Sequence, residues 1–82
     1  MPVKLPLPVA RIRVPVKRRK TLDEAKVAEL AEDILENGQT TPIRVREDGA
    51  DYILQEGLHR LEAMRALGEE MIDGYIGRAK LH

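Results

Sequence analysis

The chain contains no cysteine, phenylalanine or tryptophan. The lack of cysteine excludes disulfides, thiolate nucleophiles and cysteine-ligated zinc. The two histidines, His59 and His82, do not make a metal site by themselves, so we expect none. No apolar run approaches the roughly 20 residues of a membrane-spanning helix, and the start lacks the apolar region of a signal peptide. We therefore expect a cytoplasmic protein without membrane contacts.

Aromatic residues are almost absent, since Tyr52 and Tyr75 are the only two among 82 residues. Any core must therefore consist of aliphatic side chains. A chain of this length forms one small domain, near the lower limit at which a core is self-sufficient. This modest core leaves open a homodimer, or a longer parent protein from which the sequence comes.

Opposite charges balance overall but are distributed unevenly. The chain has 14 basic and 14 acidic residues. Residues 1–20 contain no acidic residue and seven basic ones: Lys4, Arg11, Arg13, Lys17, Arg18, Arg19 and Lys20. A basic arm on an acidic body suggests contact with a polyanion, either nucleic acid or a nucleotide phosphate. A solvated basic loop is the alternative.

The first half of the chain predicts an extended segment, a strand and a helix. Three early prolines indicate a tail or extended edge, delimited as residues 1–9. Alternation over Val9–Val14 predicts a strand, and Val16–Lys20 a basic loop. Thr21-Leu22-Asp23-Glu24 has the pattern of a capping box with Thr21 as the cap, and Asn37-Gly38 marks the end of that helix. The helix carries one apolar stripe, made of Leu22, Val27, Leu30, Ala31, Ile34 and Leu35.

The second half predicts a hairpin, a second helix and a last strand. The hairpin consists of the strands Ile43–Arg46 and Asp51–Gln55, joined by a turn at Asp48-Gly49. The helix runs from Leu58 to Leu67 and is ended by Gly68. The last strand lies within Glu70–Ala79 and is broken by Gly74 and Gly77. The predicted order over residues 10–82 is β-α-β-β-α-β, an α+β domain.

The most informative stretch is Gln55–Ala63, in which Gly57, His59 and Arg60 stand where a strand gives way to a helix. Unsatisfied amides at a helix start favour a bound phosphate. Glycine allows close approach of the backbone, arginine adds a bidentate clamp, and histidine is a donor or proton carrier near neutral pH. The alternative is a purely structural turn with solvated side chains. The residues alone leave both interpretations open.

The run VAELAEDILENGQTTPIRVREDGADYILQEGLHRLEAMRALGEEMI resembles the ParB/sulfiredoxin superfamily. In particular, it resembles the amino-terminal domain of ParB-like chromosome and plasmid partition proteins, which is also called the ParB-like nuclease domain. The resemblance covers about residues 10–78 and implies a mixed sheet. Its markers are LAEDILENG, TPI and GLHRLEAMRALG.

The resemblance implies a bound nucleotide. Partition proteins bind CTP and sulfiredoxins bind ATP, so CTP or ATP with Mg²⁺ is the expected cofactor. The phosphates would contact Gly57, Leu58, His59 and Arg60, and the base or ribose would lie at Thr41, Pro42 and Ile43. The basic loop residues that would reach the phosphates, or an acidic partner, are Arg18, Arg19 and Lys20. Glu56 and His59 are the candidate catalytic residues. The alternative interpretation of Glu56, a solvated carboxylate at a strand end, is the one that its position favours.

Two departures from the family pattern limit the functions that the resemblance implies. Sulfiredoxins carry a cysteine at the position of Leu58, so reduction of sulfinic acids is excluded. Partition proteins have a doubled arginine at this turn and a helix-turn-helix domain further on, which would belong to a missing part if this chain is a fragment.

Three functions follow. The first is a ParB-like nucleotide-binding module in bacterial DNA partition or in plasmid or phage regulation. The second is an NTP-dependent kinase or NTPase of the same superfamily. The third is a DNA-binding module without nucleotide, acting through the basic N-terminal region or a missing domain.

Overall fold

The computed structural model describes residues 4–77 as a sheet with three helices and one turn of 3₁₀ helix. The elements in chain order are β1 (Lys4–Pro8), a 3₁₀ helix (Val9–Arg11), β2 (Ile12–Arg13), α1 (Val16–Arg19), α2 (Glu24–Asn37), β3 (Ile43–Asp48), β4 (Asp51–Glu56), α3 (Leu58–Ala66) and β5 (Met71–Gly77). The outer ends of the predicted tail and domain, the end of the predicted last strand and His82 lie outside the described residues. None of the helices in residues 4–77 has both the length and the apolarity of a membrane span.

The five strands form one mixed sheet in the order β1-β5-β3-β4-β2. β1 pairs antiparallel with β5, and β3 pairs antiparallel with β4. The pairs β3 with β5 and β2 with β4 are parallel. The α+β class and the mixed sheet predicted from the sequence are confirmed.

The first strand of the sheet lies earlier in the chain than residue 10, where the predicted order of elements begins. Residues 4–8 form an edge strand, in which Leu7 pairs with Ile72 and is 2% exposed. Pro6 and Pro8 are compatible with this strand because an edge strand need not donate every amide to a neighbour. The sequence left open a tail or an extended edge for this region, and residues 4–8 form an extended edge.

The strand predicted at Val9–Val14 is largely wrong. Val9–Arg11 is a 3₁₀ helix, and only Ile12–Arg13 pairs, alongside β4. Residues three apart lie on one side of a 3₁₀ helix, so both Val9 and Ile12 are buried, which simple alternation does not allow. The predicted basic loop at residues 16–20 is also wrong, because Val16–Arg19 is the short helix α1.

Helix α2 begins two residues later than a cap at Thr21 requires. Asp23 is the N-cap, and its Oδ1 accepts a hydrogen bond of 3.0 Å from the Ala25 amide. The hydroxyl of Thr21 instead donates to the carbonyl of Arg18 at 2.7 Å. The predicted capping box is therefore wrong, and Leu22 precedes the helix. Leu35, predicted in the apolar stripe, is 73% exposed because only part of that stripe faces the core.

Helix α3 packs against β3 and against α2, and it places Leu61 and Ala63 in the core. β5 runs unbroken through Gly74, so the predicted interruption there is wrong. A Cβ at Gly74 would lie 2.7 Å from Cδ1 of Leu7 and 2.9 Å from Cγ1 of Ile43. The glycine thus allows the edge strand β1 and the central strand β3 to pack closely on either side of β5.

Candidate functional site

A cavity of about 390 Å³ lies where β4 gives way to α3. Such a volume is within the range of small-molecule sites. Its lining comes from four parts of the chain and consists of Arg18, Thr21, Leu30, Thr41, Pro42, Glu56, Gly57, Leu58, His59 and Arg60. Most of the residues singled out in the sequence therefore lie together around one opening.

Gly57 forms the junction and is the N-cap of α3, with φ of +107°. A Cβ at this position would lie 2.6 Å from Cγ2 of Ile43, which is fully buried. Ile43 thus supports the turn from below and is not part of the cavity lining, in contrast to its predicted place beside a base or ribose. Only glycine satisfies both the backbone conformation and the close contact.

The N-terminus of α3 has no side-chain cap. The first intrahelical hydrogen bond runs from the Leu61 amide to the carbonyl of Gly57 at 2.9 Å. The amides of the preceding first turn have no intrahelical acceptor, and they carry the positive end of the helix dipole. Leu58 is buried in the core and also lines the cavity.

Arg60 has a guanidinium nitrogen, Nη1, that is buried and has no hydrogen-bond partner. No other side-chain nitrogen or oxygen in residues 4–77 is both buried and unsatisfied. Burying a charged donor without a partner costs free energy, so such groups in proteins call for an explanation. Because Arg60 also lines the cavity, an anion bound there is a candidate acceptor for its guanidinium group.

His59 is committed to a hydrogen bond at the edge of the cavity. Its Nε2 accepts the backbone N–H of Asp23 at 3.0 Å. In this contact Nε2 serves as the hydrogen-bond acceptor of the ring. The contact joins the N-terminus of α3 to the N-terminus of α2, and nothing in the local pattern of either segment indicated it.

The three basic-loop residues separate in the structure. Arg18 lines the cavity, whereas Arg19 lines a smaller neighbouring cavity of about 240 Å³ beside Leu22 and Glu62. Lys20 is exposed. Thr21, singled out in the sequence only as a helix cap, also lines the main cavity.

The opposite wall, Thr41-Pro42, is held in place by Gln39, a residue that the sequence analysis did not single out. The side-chain amide of Gln39 donates to the carbonyls of Thr41 and Asp73 at 3.0 and 2.9 Å. Its Oε1 accepts the Asp73 amide at 2.7 Å. This bidentate contact fixes the loop before β3 to β5.

Glu56 is exposed and is the one carboxylate in the lining of the cavity. Within residues 4–77, no three histidine, aspartate or glutamate side chains are grouped as a metal site requires. A divalent ion here would therefore need most of its ligands from a bound anion and water, which is the usual arrangement for Mg²⁺ with phosphates.

A family model for the ParB N-terminal domain matches residues 3–80. The chain belongs to the ParB N-terminal domain family. It also resembles sulfiredoxins, which places it in the ParB/sulfiredoxin superfamily predicted from the sequence. The match to the chloroplastic/mitochondrial sulfiredoxin of Arabidopsis thaliana is 39% identical over 67 residues, 82% of this chain and 54% of that protein. The chain thus spans about half the length of this curated relative.

Solved structures support the same fold. The crystal structure of sulfiredoxin from Arabidopsis thaliana superposes with a TM-score of 0.84 at 36% identity, covering 95% of this chain and 88% of that one. The C-terminally truncated chromosome-partitioning protein ParB from Caulobacter crescentus, complexed with CTP-γ-S, gives 0.82 at 22% identity, covering 95% and 46%. At that identity the second similarity shows the fold alone.

Proposed function

We propose that this ParB N-terminal domain binds a nucleoside triphosphate, CTP or ATP, with its phosphates on the turn Gly57–Arg60. The observation that carries the proposal is the buried, unpartnered Nη1 of Arg60 beside the uncapped N-terminus of α3. Arg60 and the first turn of α3 both line the cavity. Both have donors without acceptors, which a phosphate chain bound there would supply.

The remaining lining residues suit the rest of a nucleotide. Arg18 adds a second guanidinium, and the Thr41-Pro42 wall and Leu30 provide a less charged surface for the ribose or base. Mg²⁺ carried on the phosphates would need only a carboxylate from the protein, and Glu56 is positioned to provide it. Cytosine and adenine are both consistent with this lining.

One structural neighbour supports the choice of a nucleotide as the ligand in this proposal. The Caulobacter crescentus ParB was crystallised with CTP-γ-S, and its fold is the one found here. On this basis we propose a role in DNA partition or in plasmid or phage regulation. Leu58 replaces the cysteine implied for sulfiredoxins by the family resemblance, so we do not extend their reductase chemistry to this chain.

The proposal is tested by following backbone amide shifts while CTP or ATP is added with Mg²⁺. We expect shifts at Leu58–Arg60, Thr41 and Ile43, with cytidine or adenosine leaving the amides of residues 58–60 nearly unchanged. Shifts confined to residues away from the cavity, or none at millimolar nucleotide, would contradict the proposed site. The ligand with the lower Kd identifies the preferred base.

Turnover of the bound nucleotide would favour the second candidate function, that of an NTP-dependent kinase or NTPase. In that case Glu56, the exposed carboxylate at the cavity, is the candidate general base. Phosphate or diphosphate release with Mg²⁺ should then be lost in Glu56→Gln. Binding without release supports a nucleotide-binding module.

The third function, DNA binding without nucleotide, depends on the basic residues of the N-terminal region. Because α1 is exposed along its whole length, its Lys17, Arg18 and Arg19 are accessible to a phosphate backbone. Duplex affinity that falls steeply with salt, together with no nucleotide-dependent shifts, would favour it.

A further inference from the structure

One wall of the cavity is formed by residues 16–23, which we call the basic segment. All eight residues are exposed, and helix α1 within it has no buried side chain. Four consecutive cations, Lys17 to Lys20, repel one another. Leu22, which is 37% exposed, gives the segment its main apolar contact, and the like charges do not hold the segment in place. The segment nevertheless carries Arg18 and Thr21 into the cavity lining.

The hydrogen bonds of the basic segment are almost all local. Pro15 accepts from the Arg18 and Arg19 amides, Arg18 accepts from the amide and hydroxyl of Thr21, and Arg19 accepts from the Leu22 amide. Asp23 bonds forward to the first turn of α2. Within residues 4–77, the one hydrogen bond that ties this segment to a distant part of the chain is that from the Asp23 amide to Nε2 of His59.

We infer that His59 is a positioning residue that latches the basic segment against the turn Gly57–Arg60, an inference that rests on the proposed function. The latch joins the two cationic walls of the cavity, since His59 lies between Gly57 and Arg60 on one side and bonds to the segment bearing Arg18 on the other. Without it, no non-local hydrogen bond among the described residues orders the segment before the nucleotide arrives.

The consequence for binding is one of preorganisation. A segment already held in its bound position loses less conformational freedom when the ligand enters, so the affinity is higher. An open segment withdraws Arg18 from the phosphates, and the apparent affinity is the affinity of the closed form multiplied by the fraction of molecules that are closed. His59 thus contributes through the position of Arg18, whether or not the ring also touches phosphate.

Two substitutions at one position separate this role from a general packing effect. His59→Gln retains an acceptor at about the reach of Nε2, whereas His59→Leu keeps the bulk and removes the acceptor. The nucleotide-free protein is digested briefly with trypsin, and cleavage after Lys17, Arg18, Arg19 and Lys20 is timed by mass spectrometry. Exchange of the Asp23 amide is followed in parallel, with the β-sheet amides of Val45 and Leu54 as controls for global unfolding.

We expect His59→Leu to raise cleavage of the segment and exchange of the Asp23 amide by about tenfold while the control amides are unchanged, since only local opening is affected. His59→Gln should restore most of the protection. The affinity for CTP or ATP should fall in His59→Leu and recover in His59→Gln. That pattern supports the latch.

The contrary results are distinct. Equal cleavage and exchange in the wild type and His59→Leu would overturn the latch even if nucleotide binds. Nucleotide binding with equal affinity in all three proteins would overturn the positioning role. If the latch is seen in the free protein but the wild type binds no nucleotide, the proposed function fails, the positioning role is overturned with it, and the contact is structural.

Discussion

The two longer helices of this domain begin in opposite ways. At α2, the side chain of Asp23 caps the Ala25 amide, and the amide of Asp23 itself is satisfied by His59. At α3, the N-cap is a glycine in the left-handed region with no side chain to offer, and Arg60 in the first turn has a buried nitrogen without a partner.

This difference separates a structural helix start from one prepared for a ligand. A capped N-terminus has its donors satisfied within the protein and gains stability. An uncapped one leaves the amides and the dipole field available to an anion, at a cost in the free protein. In this chain the uncapped helix start, that of α3, borders the cavity, and Arg60 beside it has a second unsatisfied donor, Nη1.

The largest effect is expected at the start of α3. Gly57→Ala adds a Cβ that overlaps the Ile43 side chain and forces a left-handed conformation on a non-glycine residue. We expect the free energy of unfolding to drop by about 3 kcal/mol, the sum of strain and overpacking. Urea denaturation measures it.

Gly49→Ala is the matched control, because Gly49 also has a positive φ but has open space around its Cβ position. It should cost only about 1 kcal/mol, the left-handed penalty by itself. Equal losses in the two variants would mean that the contact with Ile43 does not support the turn.

A smaller effect is expected at the start of α2. Asp23→Ala removes the cap and should lower the free energy of unfolding by about 1 kcal/mol. Thr21→Ala removes only a local bond to the Arg18 carbonyl and should cost less than about half of that. The comparison is made by thermal or urea unfolding of the two variants. A greater loss for Thr21→Ala would restore the capping box predicted from the sequence.

The smallest effect concerns the exposed wall of the cavity. Arg18→Ala should weaken nucleotide binding by only about threefold to fivefold at low salt, because an exposed charge pair is worth less than about 1 kcal/mol. Screening should remove this difference near molar salt. Titrations at two salt concentrations check it, and an effect independent of salt would show that Arg18 binds in a desolvated contact.

The sequence predicted those parts of the fold that depend on local conformational preference. Gly38 and Gly68 end their helices with positive φ, and Gly49 makes the turn of the hairpin, all as predicted. These positions need a backbone with positive φ whatever surrounds them, so a glycine in the sequence by itself indicates the helix end or the turn. The junction at Gly57 belongs to the same class.

The features that depend on distant packing were not predictable. Gly74 looked like a strand break, but it accommodates Leu7 and Ile43, which are 67 and 31 residues away in the chain. Local spacing favoured Thr21 as a cap, yet the tertiary contact of Asp23 with His59 accompanies a later start of the helix. For the site, sequence indicated the turn and its chemistry, whereas the burial of the Arg60 nitrogen and the role of Gln39 required the tertiary structure.

The central claim is that the open start of α3 and Arg60 hold a phosphate chain. The most direct measurement is calorimetric titration of the wild type, Arg60→Ala and Arg46→Ala with the better of CTP and ATP. Arg46 is an exposed arginine of β3 outside the cavity lining, so its removal controls for net charge. We predict that Arg60→Ala weakens binding about 30-fold, equivalent to about 2 kcal/mol for a charged hydrogen-bond donor, while Arg46→Ala binds like the wild type. Equal affinity in the wild type and Arg60→Ala would contradict the claim.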